Sequence, residues 1–348
     1  MESGEFSAFN NHGLPSISQI RRTALAAYDA GLCPVPVRQD GSKAPLGNWG
    51  KYQRERPSRQ QVADWYGPRT GLGLVCGPIS GNLECLEFDD PSTYDAYKEL
   101  AAASGLGGLV ERLESAYLER SPSGGIHWLY RCSEISGNTK LAGKRDGSGR
   151  VKVLIETRGQ GGYIIIAPSH GGVHPSGQPY RLLRGAVESI PTISPDEHRA
   201  LWELAQSFDL LPKPPARESE AAPDTFPGDR PGDAFNARGS WSSILEPQGW
   251  QLIYQRDGVG YWRRPGKDYG ISATTNWNGS GLLYAFTTST LFESQKGYTK
   301  FAAYALLFFY GDCATAARSL ARLGYRPADR LPRRKHRPRR ITSWEVRG

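Results

Sequence analysis

The segment GNLECLEFDDP, residues 81–91, reads as a short apolar strand that ends in carboxylates. Side chains alternate across a strand, so Glu87 and Asp89 share one face while Leu86 and Phe88 share the other. Two carboxylates on one face of an apolar strand repel each other unless something positive sits between them. A divalent cation bound through oxygen, Mg²⁺ or Mn²⁺, is one solution. Solvation at an exposed strand end is another, and this segment alone leaves both open. Asp90 falls on the opposite face and is expected to cap a helix beginning near Ser92.

Two further segments downstream carry reactive side chains. In SPSGGIHWLYR (121–131), His127, Leu129 and Arg131 share one strand face, and Trp128 and Tyr130 the other. The preceding Ser123-Gly124-Gly125 turn is small enough to let a ligand approach the backbone. His127 is either a satisfied core residue or a functional one. In VKVLIETRGQGGYIIIAPS (151–169), alternation puts Leu154, Glu156 and Arg158 on one face, and the GQGG turn reverses the chain into an apolar strand. Glu156 and Arg158 form a same-face ion pair of little worth if exposed, or a third metal ligand beside a phosphate-binding guanidinium. His170 and His174, in SHGGVHPSG, have no acid or cysteine near them in sequence and are expected to be solvated loop histidines.

Taken in order, these motifs have a precedent. An acid-x-acid strand, a glycine turn before an x-His strand, then an acid followed by RGxGGY…AP resembles the bifunctional primase–polymerase domain of the archaeo-eukaryotic primase superfamily, the variety found in phage and plasmid replication proteins. The likeness runs from Ile17 to Phe208 and includes AYDAGLCPVPV (27–37), GSKAPLGNW (41–49) and TGLGLVCGPISGNLECLEFD (70–89). It implies an α+β fold with an RRM-related, archaeo-eukaryotic primase-like core. Glu87 and Asp89 match the first acidic motif and Glu156 the acid of the third; the resemblance implies that they hold two Mg²⁺ or Mn²⁺ ions. His127 matches the histidine that contacts the phosphates of the incoming nucleotide, with Ser123, Arg158 and Lys43 near the triphosphate. Two positions depart from the pattern: Glu87 stands where aspartate is common, and Gly125 where many members have serine.

The implied activity is that of a DNA primase and DNA-directed DNA polymerase, a nucleotidyltransferase that makes and extends primers on single-stranded DNA from nucleoside triphosphates. The resemblance implies a replicative helicase as partner, and with no GxxxxGK[ST] motif in the chain a separate protein is expected to supply it. A catalytically silent replication initiator or helicase loader of the same fold is the alternative, and a metal-dependent nuclease uses similar carboxylates.

The 348 residues suffice for two globular units. Residues 16–210 are expected to form the catalytic domain. LPKPPARESEAAPDTFPGDRPGD (211–233) reads as a disordered linker, and 234–326 as a small ribbon-plus-helices unit holding Trp241, Trp250, Trp262 and Trp277. That unit is similar to the zinc-ribbon module of TOPRIM-type primases, but Trp262, Pro265 and Thr287 stand at ligand positions, so no zinc is expected. Arg263, Arg264 and Lys267 are expected to bind DNA there, beside exposed aromatic rings. Residues 327–348 form a basic tail that includes Arg333, Arg334 and Lys335. From Arg326 onward nine Lys/Arg face two acids, so most of the net +8 lies at this end, where it attracts phosphate backbones without reading sequence.

Composition narrows the remaining classes. With 38% hydrophobic and 22% charged residues the chain is not disordered throughout. The apolar run Phe301–Tyr310 is too short to span a bilayer, so no membrane association is expected. Five scattered cysteines with no CxxC exclude a disulfide scaffold, and the first ten residues contain no apolar signal core. A cytoplasmic protein is expected.

Overall fold

The structure, a computed structural model, describes residues 16–211 and 230–325. In the first unit α1 (Ile17–Asp29), β1 (Cys33–Pro36), α2 (Arg59–Trp65) and β2 (Leu72–Val75) lead into β3 (Leu83–Phe88). Asp90 then caps α3 (Pro91–Ala103), its carboxylate accepting from the Thr93 amide, with Pro91 in the first turn. The chain continues through α4 (Gly107–Ala116), β4 (Tyr117–Arg120), β5 (Ile126–Arg131), β6 (Thr139–Arg145), β7 (Val151–Arg158), β8 (Tyr163–Ile165), β9 (Arg181–Gly185) and α5 (Pro195–Gln206). A full capping box between Ser194 and Glu197 starts α5.

Two antiparallel sheets result. The larger runs β6-β7-β3-β5-β4-β9 and the smaller β1-β2-β8. Alternation along β3 and β5 divides the residues as their polarity demands. Leu86, Phe88, Trp128 and Tyr130 point to one face, where α3, α4 and α5 bury them against Tyr97, Leu113 and Leu201. Cys85 and Leu129 point to the other, where Leu72, Leu74 and Ile164 of the small sheet and Ile20 of α1 meet them. Leu154 departs from its expected face and is buried in the helix-side core. The register between β6 and β7 shifts twice near it, and a bulge breaks strict alternation.

Of the expected linker, 212–229 lies outside the described residues. Its end is helical: α6 (Pro231–Arg238) begins inside it, because Pro231 suits a first helical turn and Phe235 is buried against Tyr304 and Tyr325. The short α7 (Ser242–Leu245) follows. A five-stranded antiparallel meander comes next: β10 (Gln251–Arg256), β11 (Val259–Arg263), β12 (Ala273–Thr275), β13 (Leu283–Ala285) and β14 (Gly297–Tyr298). Thr299 caps α8 (Lys300–Phe309) and Asp312 caps α9 (Cys313–Arg322). Trp262 fills this unit's core and donates its indole N–H to Thr275 Oγ1 at 2.9 Å.

The meander sits on the helical layer of the first unit. Val259, Tyr261, Ile271 and Phe286 join the same core as Trp128. Tyr254 donates to Glu99 at 2.7 Å, and Trp277 to the Asp209 carbonyl at 2.9 Å. The face that carries Glu87 is left on the far side of the large sheet. Among the described residues no helix is long and apolar enough to cross a membrane.

Candidate active site

Strand register places five ionisable side chains in one row across the large sheet. Lys140 of β6 stands opposite Glu156 of β7, Glu156 opposite Glu87 of β3, Glu87 opposite His127 of β5, and His127 opposite Glu119 of β4. Asp89 follows Glu87 by two residues, just past the strand end, where its amide donates to the Leu154 carbonyl at 3.0 Å. Antiparallel pairing thus brings together Glu87, Asp89, Glu156 and His127.

His127 is 1% exposed, with Nδ1 2.6 Å from Glu119 Oε1 and Nε2 3.4 Å from Glu87 Oε1. Burial pushes an imidazole pKa down, but the hydrogen bonds and charges of Glu119 and Glu87 outweigh it and hold the ring at about 10. Glu119 is itself fully buried. It also accepts from the Tyr117 hydroxyl and the Ala167 amide, each at 2.7 Å. Burial raises Glu87 as well, yet His127 and Arg158 bring it down to about 2.

Arg158 donates through Nε to Glu87 at 3.3 Å and through a terminal nitrogen to Glu156. Its guanidinium supplies the positive charge between the two carboxylates. Among the described residues no cation is hydrogen-bonded to Asp89, though the charges of His127 and Arg158 reach it. Burial first, then repulsion from Glu87 and Glu156, raises its pKa to about 6. Burial also raises Glu156 above the usual carboxylate range, against the pull of Arg158.

The donors fit a hard divalent cation in kind: three carboxylates, close enough in space to repel one another, on the open end of one sheet face. As the side chains stand, no three acids, histidines or cysteines among the described residues form a finished ligand cluster. Glu87 and Glu156 are drawn toward Arg158 instead.

The rim of the site departs from expectation. His170 and His174 are buried, at 7% and 9% exposure, not solvated. His174 Nδ1 accepts from the Ser176 amide at 3.1 Å, leaving Nε2 to donate to Ser123 Oγ at 3.1 Å. Tyr180 stands between the two imidazoles, its ring 6.4 Å from both His127 and His174. Burial and the charge of Lys43 hold the His174 pKa below its ordinary value. Lys43 itself is exposed, and its carbonyl accepts from the Tyr163 hydroxyl. Ser123 and Lys43 therefore reach the site's edge through His174, a link no local spacing announces.

Gly125 explains one departure from the family pattern. A Cβ there lies 2.8 Å from the Phe88 carbonyl oxygen and 3.1 Å from Ser121 Oγ, so the turn has closed over the space a serine needs.

The residues expected to bind DNA in the second unit are placed otherwise. Arg263 donates to the carbonyls of Ser104 and Gly270 at 2.8 and 3.0 Å. Lys267 pairs with the buried Glu203 and donates to the Ile271 carbonyl. Both face the first unit because the meander rests on α3 and α5. Arg264 donates to the Pro265 carbonyl beside it at 2.9 Å. Arg333, Arg334 and Lys335 lie outside the described residues.

An α+β unit thus carries a row of ionisable side chains across one face of an antiparallel sheet, half-exposed only toward the end of β3. Residues 24–197, half of the chain, match the family described as bifunctional DNA primase/polymerase, N-terminal. The chain belongs to this Prim-Pol family, and the matched span contains Lys43, Glu87, Asp89, Glu119, Ser123, His127, Glu156, Arg158 and His174. No curated protein matches the chain.

Proposed function

We propose that the protein is a DNA primase and DNA-directed DNA polymerase that synthesises and extends primers on single-stranded DNA in phage, plasmid or mobile-element replication. One observation carries the reading: Glu87 stands in register between His127 and Glu156, with Asp89 on the same face. The motif resemblance assigns these residues to separate segments, and strand pairing brings the segments side by side. A silent initiator of the same fold has no need to keep three like charges this close.

In this reading residues 16–210 are the catalytic domain, 234–326 an accessory domain, and a separate helicase works alongside in the cytoplasm. Glu87, Asp89 and Glu156 would hold two Mg²⁺ or Mn²⁺ ions, which would supply Lewis-acid activation of the primer 3′-hydroxyl and charge neutralisation at the triphosphate. The remaining work belongs to the chain's own side chains. Glu119 fixes the His127 ring so that Nε2 faces Glu87, and His127 in turn holds the Glu87 carboxylate in place. Arg158, half-buried at the cleft beside Glu87 and Glu156, would bind the triphosphate. Ser123, presented by His174, and Lys43 bind phosphate oxygens at the rim.

Primer synthesis on a single-stranded circle tests the proposal. Replacing Glu87 and Asp89 by alanine is expected to lower incorporation by at least about a hundredfold, consistent with loss of electrostatic stabilisation at the reacting centre. Wild-type binding without synthesis would assign the silent initiator instead. Shortening of a labelled primer when nucleotides are withheld would assign a nuclease.

A further inference from the structure

β3 stops at Phe88, but the hairpin beside it does not. β7 pairs with β3 only from Ile155 to Arg158, so residues 144–153 project past the end of β3 as a two-stranded ribbon. The projection is roughly 13 Å at about 3.4 Å per residue. It leaves the sheet at the end where Glu87 and Asp89 stand, and two register shifts at Lys140–Gly143 re-aim it.

The ribbon's composition is one-sided. Its sequence KRDGSGRVKV (144–153) carries Lys144, Arg145, Arg150 and Lys152 against the single acid Asp146. Lys144 and Lys152 are directly opposite each other in the ladder, an arrangement that destabilises a hairpin. Asp146 does not offset them, because its carboxylate accepts from the Ser148 and Arg150 amides at 2.8 and 3.0 Å to form the turn. Asp90 turns Oδ1 toward the half-exposed Lys152 at 3.9 Å while its Oδ2 caps α3, so one carboxylate stands against two lysines. At the inner end Lys140 stands opposite Glu156. Lysines on an edge strand discourage aggregation, which explains cations on β6. Past the end of β3 both strands of the ribbon are edges, but edge protection does not require two lysines to face each other across the ladder.

We propose that this ribbon is the seat of the primer–template duplex. Lys144 and Lys152 take phosphates of its backbone, Arg145 and Arg150 flank them at the turn, and Lys140 continues the track to the carboxylates. A two-stranded ribbon is narrow enough to enter a duplex groove, and cations that meet phosphate hold position without reading sequence. The proposal rests on the polymerase reading, for it places the 3′-end of the primer at Glu87 and Asp89.

The test uses the full chain, so that the basic tail is common to every sample. Fluorescence anisotropy measures the affinity for a labelled primer–template between 50 and 200 mM salt. Lys144→Ala with Lys152→Ala is expected to weaken binding about tenfold and to reduce the slope of log K against log salt by about two. The double variant loses a like-charge pair and one exposed contact to Asp90, so its melting temperature should stay near wild type, and deoxynucleotide binding measured separately should be unchanged. An unchanged affinity and slope overturns the proposal, as does a loss seen with single-stranded DNA but not with the duplex. A wild-type chain that shows the ribbon-dependent slope but makes no primer removes the polymerase reading and leaves the duplex surface standing. Primer synthesis with an unaltered slope does the reverse.

Discussion

Nδ1 of His127 lies 2.6 Å from Oε1 of Glu119, inside a sheet where neither side chain reaches solvent. Glu119 serves as an anchor with three donors: His127, the Tyr117 hydroxyl and the Ala167 amide. Glu119→Ala leaves all three unpaired and His127 charged in a buried place. The variant is expected to lose about 3–5 kcal/mol of stability by chemical denaturation. Glu119→Gln keeps the shape and should lose less. A loss below about 1 kcal/mol for the alanine variant contradicts the anchoring role.

His174 carries a pH dependence of its own. Its folded pKa is depressed below 6.5, by burial first and then by Lys43. Above 6.5 the imidazole is neutral in folded and unfolded chains alike, and its bond to Ser123 is intact. Below 6.5 the unfolded chain takes up a proton that the folded chain resists, so stability falls as the pH drops through the folded value. Thermal unfolding between pH 7.5 and 5 should therefore show a larger loss for wild type than for His174→Gln, all other groups being common to both. Equal losses contradict it.

Lys267 looks like a surface cation in GYWRRPGKDYG, yet it joins the two units through Glu203. Lys267→Ala leaves Glu203 buried without its partner. It is expected to destabilise the protein by on the order of 3 kcal/mol. The salt slope of DNA binding should be that of wild type. A reduced slope in a chain of normal stability would return Lys267 to the DNA surface.

Restoring serine at position 125 is expected to harm the protein despite its frequency in the family. The new Cβ presses on the Phe88 carbonyl, one residue before Asp89. Gly125→Ser should cost about 1–3 kcal/mol and lower primer extension together with stability. Improved extension at unchanged melting temperature would show that the turn can open.

The strands that carry the acid row were legible because their signal is local. Period-two alternation in LEFD and ETR separated Glu87, Asp89, Glu156 and Arg158 from Leu86 and Phe88 within a few residues of sequence. Glu119 and Lys140 were not legible, since what makes them part of the row is register with strands up to tens of residues away. His174 reads as loop because its partner Ser123 is 51 residues upstream. Arg263 and Lys267 misled for a similar reason: nothing local in the meander tells which of its faces α3 and α5 will cover. Pro231 belonged to a proline-rich run by composition, yet the burial of Phe235 made it the first turn of a helix.

Manganese binding followed by electron paramagnetic resonance, with a deoxynucleoside triphosphate present, bears most directly on the acid row. Wild type is expected to bind Mn²⁺, and Asp89→Asn and Glu156→Gln each to weaken it at least about tenfold, because each removes a hard anionic donor from a shared site. Mn²⁺ affinity that is absent in wild type, or equal in all three proteins, would contradict the assignment of these carboxylates as the seat of the metal ions.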